Sequence, residues 1–226
     1  MWACLLLFGI LTMSRNPEFE KVEQELDKQE DDLPDYKLSE ALKSTLFWKL
    51  FLMMFNGVFF GYYVSSVFKD INLENSSDHF LTMVGAIASV VNGVMRIVQG
   101  QMVDKLGFKK VYALLLGIQL FVTLLMYRMR KNENFYAVCV SLSFMCWGGH
   151  FSLFPTACVD YFGIRNGGMI FTWMFFAVPC SSLVGLVVVM YWMTEIGISS
   201  IFMLGTVLTL LNVVLLTTLE EAKKHA

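Results

Sequence analysis

Arg96 stands inside the apolar run Phe80 to Met102, with Asn92 one helical turn before it and Ser89 about two turns before it. A guanidinium presents five N–H donors in a planar fork, which suits a carboxylate through two parallel charge-assisted hydrogen bonds. Near the centre of a bilayer such a group costs at least ~2.5–3.5 kcal/mol unless it is paired or faces a water-filled cavity. Asp104, which belongs at a membrane face, lies eight residues further along. That is about 12 Å of helix, so Arg96 falls close to midplane. Gly85, Ser89, Asn92, Arg96 and Gly100 share one helical face, opposite Ile87, Val90, Val94 and Val98. The spacing predicts a polar stripe turned toward a cavity or another helix. The alternative is an arginine that snorkels along its own helix to the nearer interface.

His150, in CWGGHFSLFPT, is the other titratable group in an apolar run. It could hydrogen-bond a substrate or take up a proton near neutrality, or simply tie helices together as a neutral ring. Trp147 lies three residues earlier on the same face, as cavity wall or lipid-facing packing. Asn56 and Tyr63 sit two turns apart and are candidate lining residues, while Gly57-x-x-x-Gly61 beside them reads as a close helix contact. Pro179, in AVPCSS, predicts a kink whose freed backbone groups Ser181 and Ser182 would satisfy.

These residues need long apolar elements to hold them, and the composition supplies little else. Hydrophobic residues make up 56% of the 226 and charged ones 16%, well below the usual quarter of a soluble domain. Apolar runs long enough to span a ~30 Å hydrocarbon layer fall at Leu46–Phe68, Phe80–Met102, Lys110–Met129, Phe135–Tyr161, Gly167–Trp192 and Gly197–Leu219. An all-α polytopic membrane protein with six spans is the expected fold class. A net charge of −2 implies no nucleic-acid partner. Cys4, Cys139, Cys146, Cys158 and Cys180 all lie in apolar runs without a C-x-x-C pair and read as buried free thiols. No nucleophile–base pair, metal spacing or phosphate loop suggests an enzyme or a cofactor.

Between the second and third spans lies GQMVDKLGFKK, which carries Gly100, Asp104, Lys105, Gly107, Lys109 and Lys110. Gly100 would permit close helix contact and Gly107 a tight reversal, while the lysines remain in water. This Gly-Asp-Gly spacing resembles the signature loop of the major facilitator superfamily, although Phe108 stands where that loop usually has arginine. The helix-seven entry YKLSEALKSTLFWKL, together with Asn92-Gly93-x-x-Arg96-x-x-x-Gly100-x-x-x-Asp104, is similar to the oxalate/formate antiporter and monocarboxylate transporter families.

The resemblance implies that residues 1–13 are the tail of transmembrane helix 6 and 14–45 a charged cytoplasmic linker. Residues 46–219 would then be helices 7–12, the C-terminal half of the fold, and 220–226 a cytoplasmic tail. A missing N-terminal half would be the partner, with Asp104 against one of its helix ends. Lysines 105, 109 and 110, Arg165 and the tail agree with the linker and C-terminus lying in the cytoplasm, while Arg128, Arg130 and Lys131 fall on the opposite side as an exception. The implied activity is secondary transport of a small carboxylate by alternating access, with Arg96 binding the anion. Asn92, His150, Asn56, Tyr63 and Ser89 would be lining residues. Asn92 occupies the position of an acid in proton-coupled relatives, and no lysine lies between Gly167 and Trp192, so one carboxylate fits better than two. The alternative is a non-transporting half-facilitator that serves as a structural subunit of a membrane complex.

Overall fold

The computed structural model describes residues 36–72, 75–195 and 197–220. The expected tail of helix 6 at 1–13, the linker up to residue 35 and the end of the cytoplasmic tail lie outside the described residues. Regular structure within them is helical: α1 (Leu38–Ala41), α2 (Thr45–Asn72), α3 (Asp78–Leu106), α4 (Phe108–Leu125), α5 (Glu133–Phe162), α6 (Ile164–Met174), α7 (Ala177–Glu195) and α8 (Ile198–Thr217). Six segments are long and apolar enough to cross a membrane: α2, α3, α4, α5, α6 with α7 over Ile164–Val188, and α8. The chain is therefore an all-helical, multi-pass membrane protein. Some spans are longer than their apolar runs suggest, the first reaching Asn72 and the second Leu106, because polar residues continue the helices past the hydrocarbon.

Two reversals are built alike. Val103-Asp104-Lys105-Leu106-Gly107-Phe108-Lys109 and Val159-Asp160-Tyr161-Phe162-Gly163-Ile164-Arg165 share a V-D-x-x-G-apolar-basic pattern. Gly107 has φ 83 and ψ 157, and Gly163 φ 100 and ψ 156, a region essentially closed to residues with a Cβ. One glycine thus turns the chain by itself. Gly107 meets the expectation for a tight reversal. Gly100 does not meet its own, since an alanine methyl there would touch nothing within 4 Å among the described residues.

The fifth span breaks where Pro179 dictates. A proline ring clashes with the carbonyl four residues earlier, here Phe175, and the helix is interrupted between Met174 and Ala177. Pro179 then occupies the first turn of α7, where no N–H is required. Ser181 does not serve its own helix as expected: its hydroxyl donates to the Phe55 carbonyl of α2 at 2.9 Å.

α2 is the central helix and mostly buried, whereas α3 lies at the periphery with most of its apolar stretch exposed. Leu50, Met53, Met54, Tyr112, Phe154 and Phe162 pack toward one end of the bundle, and Tyr63, Val64, Tyr136 and Phe202 toward the other. A buried polar layer joins α2, α4 and α8. Asn56 Nδ2 donates to Asn212 Oδ1 at 3.1 Å, Asn212 Nδ2 donates to the Met53 carbonyl and to Tyr112 Oη, and Gln119 Nε2 donates to Thr209 Oγ1. Hydrophobic driving force is absent between helices in lipid, so such bonds and close packing fix their register.

Just past the end of α8, three side chains from three helices hold the carbonyls of the outgoing chain. Lys49 donates to Thr218 O at 3.2 Å, Lys109 to Leu219 O at 2.6 Å and Tyr161 to Glu220 O at 2.9 Å. Lys109, expected simply to remain in water, thus also ties down the segment that follows α8. Cysteines 139, 146 and 158 are buried thiols, whereas Cys180 is exposed on the outer face of α7, contrary to expectation.

Candidate functional site

Four consecutive residues of α5, Trp147-Gly148-Gly149-His150, lock α2, α3 and α5 together, two large groups flanking two small ones. The large ones enter glycine notches on α2. An alanine methyl at Gly57 would lie 1.8 Å from His150 Nε2, and one at Gly61 would lie 2.5 Å from the Trp147 ring. The small ones receive α3: a methyl at Gly148 would lie 2.8 Å from Asn92 O, and one at Gly149 would lie 2.4 Å from Gln99 Oε1. The expected close contact at Gly57 and Gly61 is present, and rings fill it rather than backbone.

His150 is fully buried, with Nδ1 2.7 Å from the Cys146 carbonyl, so the proton sits on Nδ1 and Nε2 faces Gly57 without a partner among the described residues. Its ring is flanked by Tyr112 and Phe154. That environment suits the helix-tying role named above and leaves no open path to a ligand within this bundle. Asn56 is likewise turned inward, and it spends its amide on Asn212. Tyr63 is buried with its ring edge-on to Phe202. Neither lines an open face. The reason is that α2 is surrounded, so residues two turns apart on it meet other helices rather than a cavity.

The α3 stripe divides. Residues four apart drift by about 40° per step around a helix, so the row winds off the packed face. Gly85 packs against Phe68, and Asn92 spends its amide on the Phe144 carbonyl at 2.6 Å. Ser89 and Arg96 lie on the exposed edge, where Ser89 donates to the Gly85 carbonyl. Arg96 is exposed, with its guanidinium carbon 4.8 Å from the centroid of the Phe151 ring. It makes no ion pair with a carboxylate among the described residues. A cation held against a ring face is attracted by the ring quadrupole, and here that contact keeps the guanidinium beside α5 instead of extended along its own helix.

Phe151 belongs to an aromatic row that the sequence did not announce. Tyr62 meets Trp147 at 5.1 Å, Trp147 meets Phe151 at 6.2 Å, Phe151 meets Phe175 at 6.1 Å, and Phe175 meets Phe171 at 5.8 Å. The indole N–H of Trp147 finds no acceptor among the described residues. Trp147 and Phe151 are four apart on α5, a spacing that hints at a shared face. Their meeting with Tyr62 from α2 and Phe175 from the α6–α7 break is not visible in any one segment. Pro155 lies within α5 four residues after Phe151, so the Phe151 carbonyl also lacks its usual helical donor. The arrangement offers one exposed cation held over an apolar aromatic floor, while the Trp147 N–H beside it is itself buried, and this suits a small anion with an apolar or planar body. No cluster of residues able to hold a metal ion occurs among the described residues.

The signature-loop residues gather at the end of the bundle nearest α8's C-terminus. Asp104, Lys105 and Lys110 are exposed there, and Asp104 makes no ion pair among the described residues.

Comparison with known proteins agrees with this architecture. Apicoplast pyruvate carrier 1 of Toxoplasma gondii is 30% identical over 202 residues, which is 82% of this chain and 36% of the carrier. The oxalate:formate antiporter of Oxalobacter formigenes is 26% identical over 154 residues, 67% of this chain and 37% of the antiporter. An uncharacterized MFS-type transporter of Escherichia coli is 28% identical over 137 residues, 58% of this chain and 33% of that protein. The chain thus spans about a third of the length of the curated relatives it matches. The family profile of the Major Facilitator Superfamily matches residues 1–178 and, in an overlapping match, 50–226, and the chain belongs to that superfamily.

Proposed function

We propose that this protein carries a small organic anion with a single carboxylate across its membrane by alternating access, and that Arg96 binds the carboxylate. The observation that carries this reading is an intramembrane guanidinium, exposed and without an acidic partner among the described residues, laid against the aromatic row. A cation so placed near midplane is costly unless a ligand or a water-filled cavity faces it. The relatives named for pyruvate and for oxalate and formate support a carboxylate cargo. Trp147, whose ring packs between Tyr62 and Phe151, would form part of the apolar wall beside the anion. Ser89 would line the same edge, and Asn92, tied to Phe144, would orient α3 rather than touch substrate.

The bare edge of α3 would complete its site against a second six-helix half, with the described helices serving as helices 7–12 and the two halves rocking about a midplane site. In that arrangement Asp104 would face a helix end of the other half. The end of the bundle holding Lys105, Lys109, Lys110 and Arg165 would lie in the cytoplasm.

The test is uptake of radiolabelled pyruvate and oxalate into proteoliposomes, wild type against Arg96→Gln. Charged hydrogen bonds contribute about 1.5–3 kcal/mol, so apparent affinity should fall about 10- to 150-fold. Equal uptake at equal reconstitution would remove Arg96 from the site.

A further inference from the structure

We propose that the turn between α4 and α5 binds the headgroup of an anionic phospholipid. Arg128, Arg130 and Lys131 fall within four consecutive positions of the turn that joins Leu125 to Glu133. Both flanking helices are spans, so the turn sits at headgroup depth. It lies at the end of the bundle opposite the signature loop, where positive charge runs against the topological bias. A specific anionic partner resolves that conflict.

Two features make the turn more than a scatter of surface charge. First, Arg130 is fixed: its guanidinium lies 4.1 Å over the Tyr127 ring and Nη1 donates to the Tyr127 carbonyl at 3.0 Å. Backbone bonds from Met129 N to Leu125 O and from Asn132 N to Met129 O hold the turn in one shape. Second, the three cations have no acidic partner among the described residues. The ion pair at this end of the bundle joins Lys69 to Asp78, and Arg128, Arg130 and Lys131 pair with no carboxylate among the described residues, Glu133 included.

The surface just inside the turn identifies the occupant. Phe121 and Leu124 on α4 and Val138 on α5 are exposed, and the Phe121 and Phe135 rings meet across the two helices at 6.3 Å. A soluble anion would use the cations and ignore this strip. A phospholipid uses both, with phosphate among the cations and acyl chains along the α4–α5 seam.

Native mass spectrometry of the purified protein, titrated with phosphatidylglycerol or phosphatidylcholine, tests the proposal. Each cation near an anionic headgroup contributes on the order of fivefold, so Arg128→Gln/Arg130→Gln/Lys131→Gln should bind phosphatidylglycerol about 100-fold more weakly. Phosphatidylcholine binding should be unchanged. Lys37→Gln/Lys43→Gln/Arg165→Gln removes three exposed cations from the other end and should bind like wild type. Phosphatidylglycerol retention within twofold of wild type in the α4–α5 variant, or equal loss in the control, would overturn the site. Should the triple variant assemble poorly, Arg128→Gln and Lys131→Gln singly, both at exposed positions, should each lose about fivefold, and no loss in either overturns it equally.

Discussion

Gly57→Ala is a small chemical change with a large expected effect. The added methyl would lie 1.8 Å from His150 Nε2, where ordinary van der Waals contact begins near 3.4 Å. Ring or backbone must therefore yield by about 1.6 Å, the difference of those two distances. His150 has little room to give, because Nδ1 is bonded to the Cys146 carbonyl and the ring is flanked by Tyr112 and Phe154. The clash thus passes to the α2–α5 contact. Overpacking of this kind costs about 1–3 kcal/mol, which corresponds to roughly 2–12 °C in melting temperature for a domain of this size. Thermal unfolding of detergent-solubilised protein, followed by intrinsic tryptophan fluorescence, measures it. The reasoning also fixes a sign in combination: in a His150→Ala background the notch is empty, and Gly57→Ala should become nearly neutral. A Gly57→Ala protein melting within about 1 °C of wild type would refute the interlock, and so would an equal loss in both backgrounds.

Other expectations follow from the same contacts. Asn212→Leu strands Asn56 Nδ2 and removes a donor from Met53 O and Tyr112, so it should destabilise by about 1–2 kcal/mol in a membrane. Adding Asn56→Leu should recover part of that loss in the same melting assay. Lys109→Met removes the 2.6 Å bond to Leu219 O, and amide exchange over the last turn of α8 should accelerate, while Lys109→Arg should stay close to wild type. Gly107→Ala meets no atom within 4 Å yet forces a methyl-bearing residue to φ 83 and ψ 157, so a loss of about 1–3 kcal/mol would be purely conformational. If Gly107→Ala and Gly100→Ala destabilise equally, the backbone explanation fails.

By itself the sequence determined the class, the number and order of spans and the reversal at Gly107. These follow from runs of apolar residues and from single-residue conformational limits, both of which are local. It also marked Arg96 as anomalous, because a charge in an apolar run is visible without neighbours. Tertiary structure decided which of the candidates face outward. Asn56, Tyr63 and His150 carry the same chemistry in either environment, and only the central position of α2 and the α5 interlock turn them inward. The aromatic row beneath Arg96 is a meeting of α2, α5 and the α6–α7 break, and no segment encodes it alone. Lys49, Lys109 and Tyr161 lie far apart in the sequence, and only the fold brings them together around the segment that follows α8. Contacts between spans depend on rotation about each helix axis. In lipid that rotation is set by notches and buried hydrogen bonds on several helices at once, and a single hydrophobic pattern cannot express it.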